Sequence, residues 1–389
     1  MILLHRAILS VARKTISKIT NCMNIKKQQI IVTDKHRIDE KIFNLSIFIF
    51  LFLTNMCTVG CASFGSPQTE SIVDRLETGK LTILASCEFY NSVGQVIRKY
   101  PGDICVPIEN GDLYISDTIH LTKLDKYNRI IWSKLEPVHH QMKRSFNKRD
   151  LFFISGYYET RDAIPIRQDM IKVIDSSGSI LRQFDFSNYL KSQDPKYIEK
   201  YKYKNTWSFN GSDQTFFEYT HVNSIDEITS VDNFGQRHLQ GYVVNDRSLG
   251  KVFFFDAELK LKHVINFDFQ AMHDVSVLDQ NTLIYFLNGN RENPTTSAIE
   301  TYNILTKQKT VIYGNGSPLF YSKNNGGVQP LSPSLFLISH APKPSESYVE
   351  LVSNRRESLK KIFLRGSRKL IQDAELADYR EFLKNNVGN

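Results

Sequence analysis

Four histidines and one arginine carry the chemistry that this chain can do. Val138-His139-His140, Thr220-His221-Val222-Asn223-Ser224 and Met272-His273-Asp274 each open a unit of β-branched and aromatic residues, and the strand ahead of Arg247 ends in Asn245-Asp246. An imidazole works near neutral pH as nucleophile, general acid or general base. The fork of an arginine guanidinium matches the oxygen geometry of sulfate or phosphate. Three imidazoles and a guanidinium around one axis would bind an oxyanion and act on it. Each residue also has a plainer use: a strand-opening histidine can bond backbone, Asp274 can cap a turn, and Asp246 can pair with Arg247 at a rim. Recurrence raises the set above those uses, because the histidines hold the same place in successive units.

Those units are visible as a repeat. Its first part is a turn followed by an apolar strand: NGDLYIS (110–116), RDLFFIS (149–155), LQGYVVN (239–245), QNTLIYF (280–286) and SPSLFLIS (332–339). Its second part is a strand, an aspartate-led turn and another strand, centred on Asp125, Asp175 and Asp256, with Thr306 near the aspartate's place in a fourth copy. Asp125 and Asp175 are 50 residues apart, as are Asp256 and Thr306. The longer middle interval contains a Tyr/Lys-rich stretch, Leu190–Tyr219, that reads as an insertion. At this period the residues after position 60 make six or seven units of about four strands each, which is the pattern of a β-propeller. A pair of β-sandwiches would give shorter, less regular spacing. The fold class is therefore all-β, a six- or seven-bladed propeller. In that fold polar residues at repeat-equivalent strand starts converge on the central channel.

The domain plan is a targeting segment over 1–60, a linker or first strand region over 61–88, the propeller over 89–372 and a tail over 373–389. The tail predicts a short helix, Asp373–Lys384, with Leu376, Ala377, Phe382 and Leu383 toward one face. The formal charge of +8 is uneven: residues 1–60 hold 9 Lys/Arg against 3 Asp/Glu, which leaves the remainder near +2. A body so close to neutral does not describe a nucleic-acid binder. Leu45–Leu53 is an apolar run too short to span a bilayer but suited to a signal-peptide core. Thr58-Val59-Gly60-Cys61 after it resembles a lipobox, which would make Cys61 the lipidated first residue of an exported, membrane-anchored chain in the cell envelope or periplasm. A plain secretory signal and an uncleaved amphipathic anchor are the other readings, and Met23 is an alternative start. Of the five cysteines only Cys87 and Cys105 lie in the body, as a pair or as two buried thiols. No CxxC or HExxH motif supports a metal, and neither GxSxG nor a P-loop is present.

With these residues in place, the body from about Phe89 to Leu383 resembles the bacterial arylsulfotransferase (aryl-sulfate sulfotransferase) propeller family. The resemblance lies in the order of its pieces: GQVIRKY…NGDLYIS…LDKYNRIIW, then the histidine doublet after a Trp-containing strand, then HVNSI and a strand ending in Arg, then MHDVSVLDQNTLIYFLNGN, and last GGVQPLSPSLFLISHAPK with Tyr379-Arg380 near the end. It implies transfer of a sulfuryl group from a phenolic sulfate ester to a phenol acceptor, by ping-pong through a sulfo-histidine, without nucleotide donor or cofactor. His273 matches the family's nucleophile, and His221 and Arg247 match the residues that hold the sulfate oxygens. His140, or His139 in the other register, matches the remaining channel histidine, while Asn223 and Asn288 match supporting positions. Asn245-Asp246 departs from the small hydroxyl residues common in the family and sets a carboxylate beside the anion site, pointing away from Arg247 by strand alternation. Two other classes fit the same scaffold, since propellers host many functions. One is a non-catalytic lipoprotein binding protein or glycan through its faces; the other is a different anion-handling hydrolase.

Overall fold

The five apolar strands that recur along the sequence are the second strands of blades II to VI of a six-bladed ring. In the computed structural model, residues 67 to 377 are described apart from 79, 109, 118, 162–163, 194–202, 210–211, 268–271, 290–295, 315–319, 323–325, 344–345 and 366–373. The apolar run at Leu45–Leu53, Cys61 and Tyr379-Arg380 lie outside the described residues. Six sheets each hold at least four strands, and the first strands of successive blades pack against one another. Those inner strands are Ile104–Pro107 in blade II, Val138–Arg144 in III, Val222–Val231 in IV, Met272–Asp279 in V and Gly327–Ser332 in VI. Blade I is closed by the chain's two ends, with Ala374–Ala377 pairing antiparallel to Thr82–Ala85, which is followed by Glu88–Tyr90 and Val96–Lys99. The molecule is a six-bladed β-propeller.

Period-two alternation explains why the second strands are apolar on both faces. In blade V, Leu283 and Tyr285 enter the core shared with blade IV, while Ile284 and Phe286 enter the one shared with VI. In blade III, Phe152 and Ile154 face IV, and Leu151 and Phe153 face II. The hydrophobic core is thus six wedges between neighbouring blades rather than one centre. Outermost strands such as Ile130–Leu135 are half to fully exposed, so their composition is mixed.

The aspartate-led turns join the third and fourth strands of each blade. In blades II, III and IV the carboxylates of Asp125, Asp175 and Asp256 accept N–H bonds from residues two and four positions on, such as Tyr127 and Arg129. Asn91 and Ser353 do the same in blades I and VI. In blade V the capping residue is Asn303, whose side-chain oxygen accepts from Leu305 and Thr306. The expected placing of Thr306 at the cap is therefore three residues late. Any of Asn, Asp or Ser offers the accepting oxygen, which is why the repeat is clearer in space than in letters.

The expectation for the tail needs correction. The tail predicted as a helix is a strand where it is described: Ala374–Ala377 bonds the free edge of Thr82–Ala85. Alanine, glutamate and leucine are good helix formers, but propensity is a weak prior that tertiary context overrides, and the unpaired edge of blade I outweighs it by closing the ring. The strand Thr82–Ala85 lies in the segment read as a linker or first strand region, and a helix, Pro67–Glu77, precedes it. Ile72 and Val73 of that helix pack on the core between blades VI and I.

Cys87 and Cys105 form a disulfide, 18 residues apart, that ties the Ala85–Glu88 turn of blade I to the inner strand of blade II. A loop of this size contributes about 3 kcal/mol in the chain-entropy account. The double variant Cys87→Ala/Cys105→Ala is expected to lose about that much in urea unfolding, and reductant is expected to lower the wild-type midpoint but not that of the variant. An unchanged wild-type midpoint in reductant would contradict this.

Candidate functional site

Three inner strands begin with a fault in their ladder, and the histidines stand there. In blade III the register jumps between Val138 and Met142, releasing His139, His140 and Gln141. In blade IV it jumps between Val222 and Ser224 around Asn223, and in blade V between His273 and Ser276 around Asp274 and Val275. His140 and Asp274 take left-handed backbones, φ 58° and 44°. Bulges re-aim side chains out of the pleat, and here they fall beside the histidines.

The gathered side chains are in contact. The His140 ring lies 4.8 Å from that of His221 and 5.0 Å from that of His139, centroid to centroid. Burial first, then repulsion from His221, His139, Arg167 and His273, holds the His140 imidazolium well below its ordinary range. That dependence also places His273, itself buried, within electrostatic reach. His140 is therefore held toward its neutral form. The backbone N–H of Arg247 donates to the His221 carbonyl at 2.9 Å. The Arg247 guanidinium is mostly buried, which lowers its pKa, while Glu218 nearby raises it.

Side-chain hydrogen bonds join the inner strands next to the histidines. The Gln141 amide donates to Asp274 Oδ1 at 2.9 Å and accepts the Ile225 N–H at 2.7 Å. Asp274 Oδ2 accepts the Val328 N–H at 2.6 Å. Blades III, IV, V and VI are thus tied through two side chains adjacent in sequence to His140 and His273. Asp274 neither caps a local turn nor orients its neighbour's ring in these contacts.

The structure brings together the rings of His139, His140 and His221, with the backbone of Arg247 bonded to that of His221 and His273 acting electrostatically on His140. It also separates the doublet: His140 touches His221, whereas His139 Nε2 lies 3.2 Å from Asp169 Oδ1. Asn223 sits in the bulge beside His221, buried, with no hydrogen-bond partner for either amide atom among the described residues. Asn288 is set apart, donating to the Ser322 carbonyl at 2.7 Å and so linking blade V to the approach to blade VI. Asp246 is fully buried; its Oδ1 accepts the N–H groups of His221 and Leu249. Its carboxyl therefore braces the backbone on which His221 stands.

Sequence reasoning missed Arg167, Asp169 and Glu218. Arg167 Nη2 lies 2.7 Å from Glu218 Oε2, and its Nε lies 3.2 Å from Asp169 Oδ1. Glu218 Oε1 lies 2.6 Å from His221 Nδ1. Asp169 Oδ2 accepts the Val222 N–H at 2.9 Å and the Thr220 hydroxyl at 3.0 Å. A signal existed: two charges spaced i, i+2 in the otherwise strand-like IPIRQDMIKVI put both on one face of a buried strand. Glu218 lay in the stretch read as an insertion. That stretch is a hairpin, Tyr203–Phe209 with Ser212–Glu218, added to blade III through a parallel bridge between Glu218 and Arg167. Among the described residues no cluster of histidine, cysteine and carboxylate side chains has the arrangement of a metal site.

No known protein family matches the chain, and no curated protein matches it in sequence. Solved structures similar to it include a protein of unknown function from Bacteroides caccae, at 9% identity and TM-score 0.44, covering 76% of this chain and 97% of that one. Others are the Dos1 propeller, at 11% identity and TM-score 0.39 over 73% and 68%, and a streptogramin B lyase, at 11% and 0.36 over 74% and 89%. The class defined by the fold is a six-bladed β-propeller whose blades III to V carry histidines at or beside the bulged starts of their inner strands. Function is read from that site.

Proposed function

We propose that this protein moves a sulfuryl group from a phenolic sulfate ester to a phenolic acceptor through a sulfo-histidine on His273. The observation supporting this reading is the packing of the His140 ring on the His221 ring at the bulged starts of blades III and IV, with His273 of blade V acting on His140 electrostatically and Arg247 bonded through its backbone to His221. In the first half-reaction a nitrogen of His273 attacks sulfur, the bond from sulfur to the ester oxygen breaks, and the phenolate departs with the electron pair. Arg247 offsets charge on the transferred oxygens. In the second half-reaction the acceptor oxygen attacks the same sulfur and the sulfur–nitrogen bond breaks. The reaction calls for no cofactor. The reading includes export as an anchored envelope protein through Cys61, which the Cys87–Cys105 bond supports because disulfides persist in oxidising compartments.

Exposed apolar side chains on outer strands, among them Ile130, Leu135, Ile180 and Leu181, favour a second reading as a propeller that binds a protein or glycan without catalysis. Purified protein mixed with 4-nitrophenyl sulfate and phenol separates the two. Release of nitrophenolate that depends on phenol is the expected result. No release from several donors and acceptors by folded protein would leave the binding reading.

A further inference from the structure

Two buried carboxylates stand behind the imidazoles, and one guanidinium holds both. Arg167 contacts Glu218 and Asp169, and all three are nearly excluded from solvent. Each carboxylate in turn faces a different histidine through a different ring nitrogen: Glu218 meets His221 at Nδ1, and Asp169 meets His139 at Nε2. An ionised carboxylate only accepts hydrogen bonds, and a neutral imidazole has a single N–H. The nitrogen facing the carboxylate must therefore carry the proton, and the other nitrogen carries the lone pair.

We propose that Glu218, clamped by Arg167, is a positioning residue that fixes His221 as its Nδ1–H tautomer and thereby makes Nε2 the base for the acceptor phenol. The tautomer follows from the contacts at His221; the proton-transfer role rests on the sulfuryl-transfer reading. In the second half-reaction the phenol O–H bond breaks and its proton passes to His221 Nε2. The oxygen attacks sulfur, and the sulfur–nitrogen bond breaks with its electron pair returning to His273. Glu218 is well placed for this because the hairpin ending at Glu218 runs, three residues on, into His221 at the start of blade IV. Asp169 secures the same corner from below, bonding Thr220 and the backbone of Val222 on either side of His221. Burial opposes its ionisation, but Arg167 and His139 beside it outweigh that and hold it well below the ordinary carboxylate range.

The test uses the full chain with ¹⁵N-labelled histidine, the His221 ring signals being assigned by their loss in His221→Gln. The expected spectrum shows a protonated Nδ1 and a bare Nε2 on His221, with mixed tautomers in Glu218→Gln and a partial return in Glu218→Asp. Arg167→Lys gives the same comparison if Glu218→Gln does not fold. Kinetically, Glu218→Gln is expected to slow the phenol-dependent step roughly 10- to 100-fold, as lost ring-orienting partners commonly do, and to affect the initial nitrophenolate burst less. A His221 protonated at Nε2, or a tautomer unmoved by Glu218→Gln, overturns the proposal whether or not the enzyme turns over. Equal loss of burst and phenol-dependent step overturns the general-base role. A correct tautomer in a protein that turns over no sulfate ester supports the positioning contact and overturns the transfer reading alone.

Discussion

Alanine at His273 is expected to lower phenol-dependent nitrophenolate release by on the order of 10³-fold or more, because removing a covalent nucleophile eliminates the intermediate rather than weakening it. The fold should survive. His273 opens an inner strand at a bulge, and the contacts that tie the blades together there belong to its neighbours, Gln141, Ser224, Asp274 and Val275. Free imidazole added to the variant should restore part of the rate by occupying the vacated space. Arg247→Ala, which removes charge stabilisation but leaves the nucleophile, is expected to cost less, on the order of 10²-fold. Rates for His273→Ala within tenfold of wild type would remove His273 from the reaction and pass the role to His221 or His140. Mass spectrometry of alkali-quenched protein during turnover checks the same point by locating the sulfuryl adduct.

Asparagine at Asp246 is expected to stabilise the protein in mildly alkaline solution and to change little in acid. Burial, reinforced by the charge on Asp169, pushes the Asp246 carboxyl up to about 7 against the N–H groups of Leu249 and His221 that favour its ionised form. Its Oδ2 has no hydrogen-bond partner among the described residues. The folded pKa is raised above the unfolded value of about 3.9, so the folded chain binds the extra proton between the two. The group's favourable contribution is complete below the unfolded pKa and is lost as pH rises through 7. The difference corresponds to about 4 kcal/mol as an upper bound; an asparagine whose amide finds no full set of partners should recover about 2 kcal/mol. His139 and His140 act in the opposite direction. Their pKa values are depressed by burial and cationic neighbours, so their protonation in the unfolded chain erodes stability as pH falls below about 6.5. The expected wild-type profile is a dome, and Asp246→Asn should flatten its alkaline limb alone. Urea midpoints at pH 4.5 and pH 8 measure this; a variant no more stable than wild type at pH 8 would mean that the ionised carboxylate is held there without cost.

Much of the site was legible because its histidines recur where the fold repeats. His139-His140, His221 and His273 precede apolar strands that all occupy the second place in a blade, and a repeat in sequence is a rotation in space. Their supporting groups were hidden for the opposite reason. Arg167 and Asp169 come from a third strand and Glu218 from a hairpin found in blade III alone, so no repeat marks them. The turn at Asn303 was misplaced because asparagine, aspartate and serine substitute freely as caps. The tail was misread as a helix because its residues are good helix formers, while the partner strand that overrides them lies nearly 300 residues away.

The sequence by itself determined the all-β architecture, the count of about six units and the histidine-bearing strand starts, since these depend on alternation and spacing along the chain. Tertiary structure decided which member of the doublet meets His221, that Cys87 and Cys105 are joined, and that the carboxy terminus closes blade I. It also decided that Arg167 bridges two carboxylates, each turned to a different imidazole nitrogen. These are pairings between distant segments, set by which edges, charges and ring nitrogens are left for one another once six blades close into a ring.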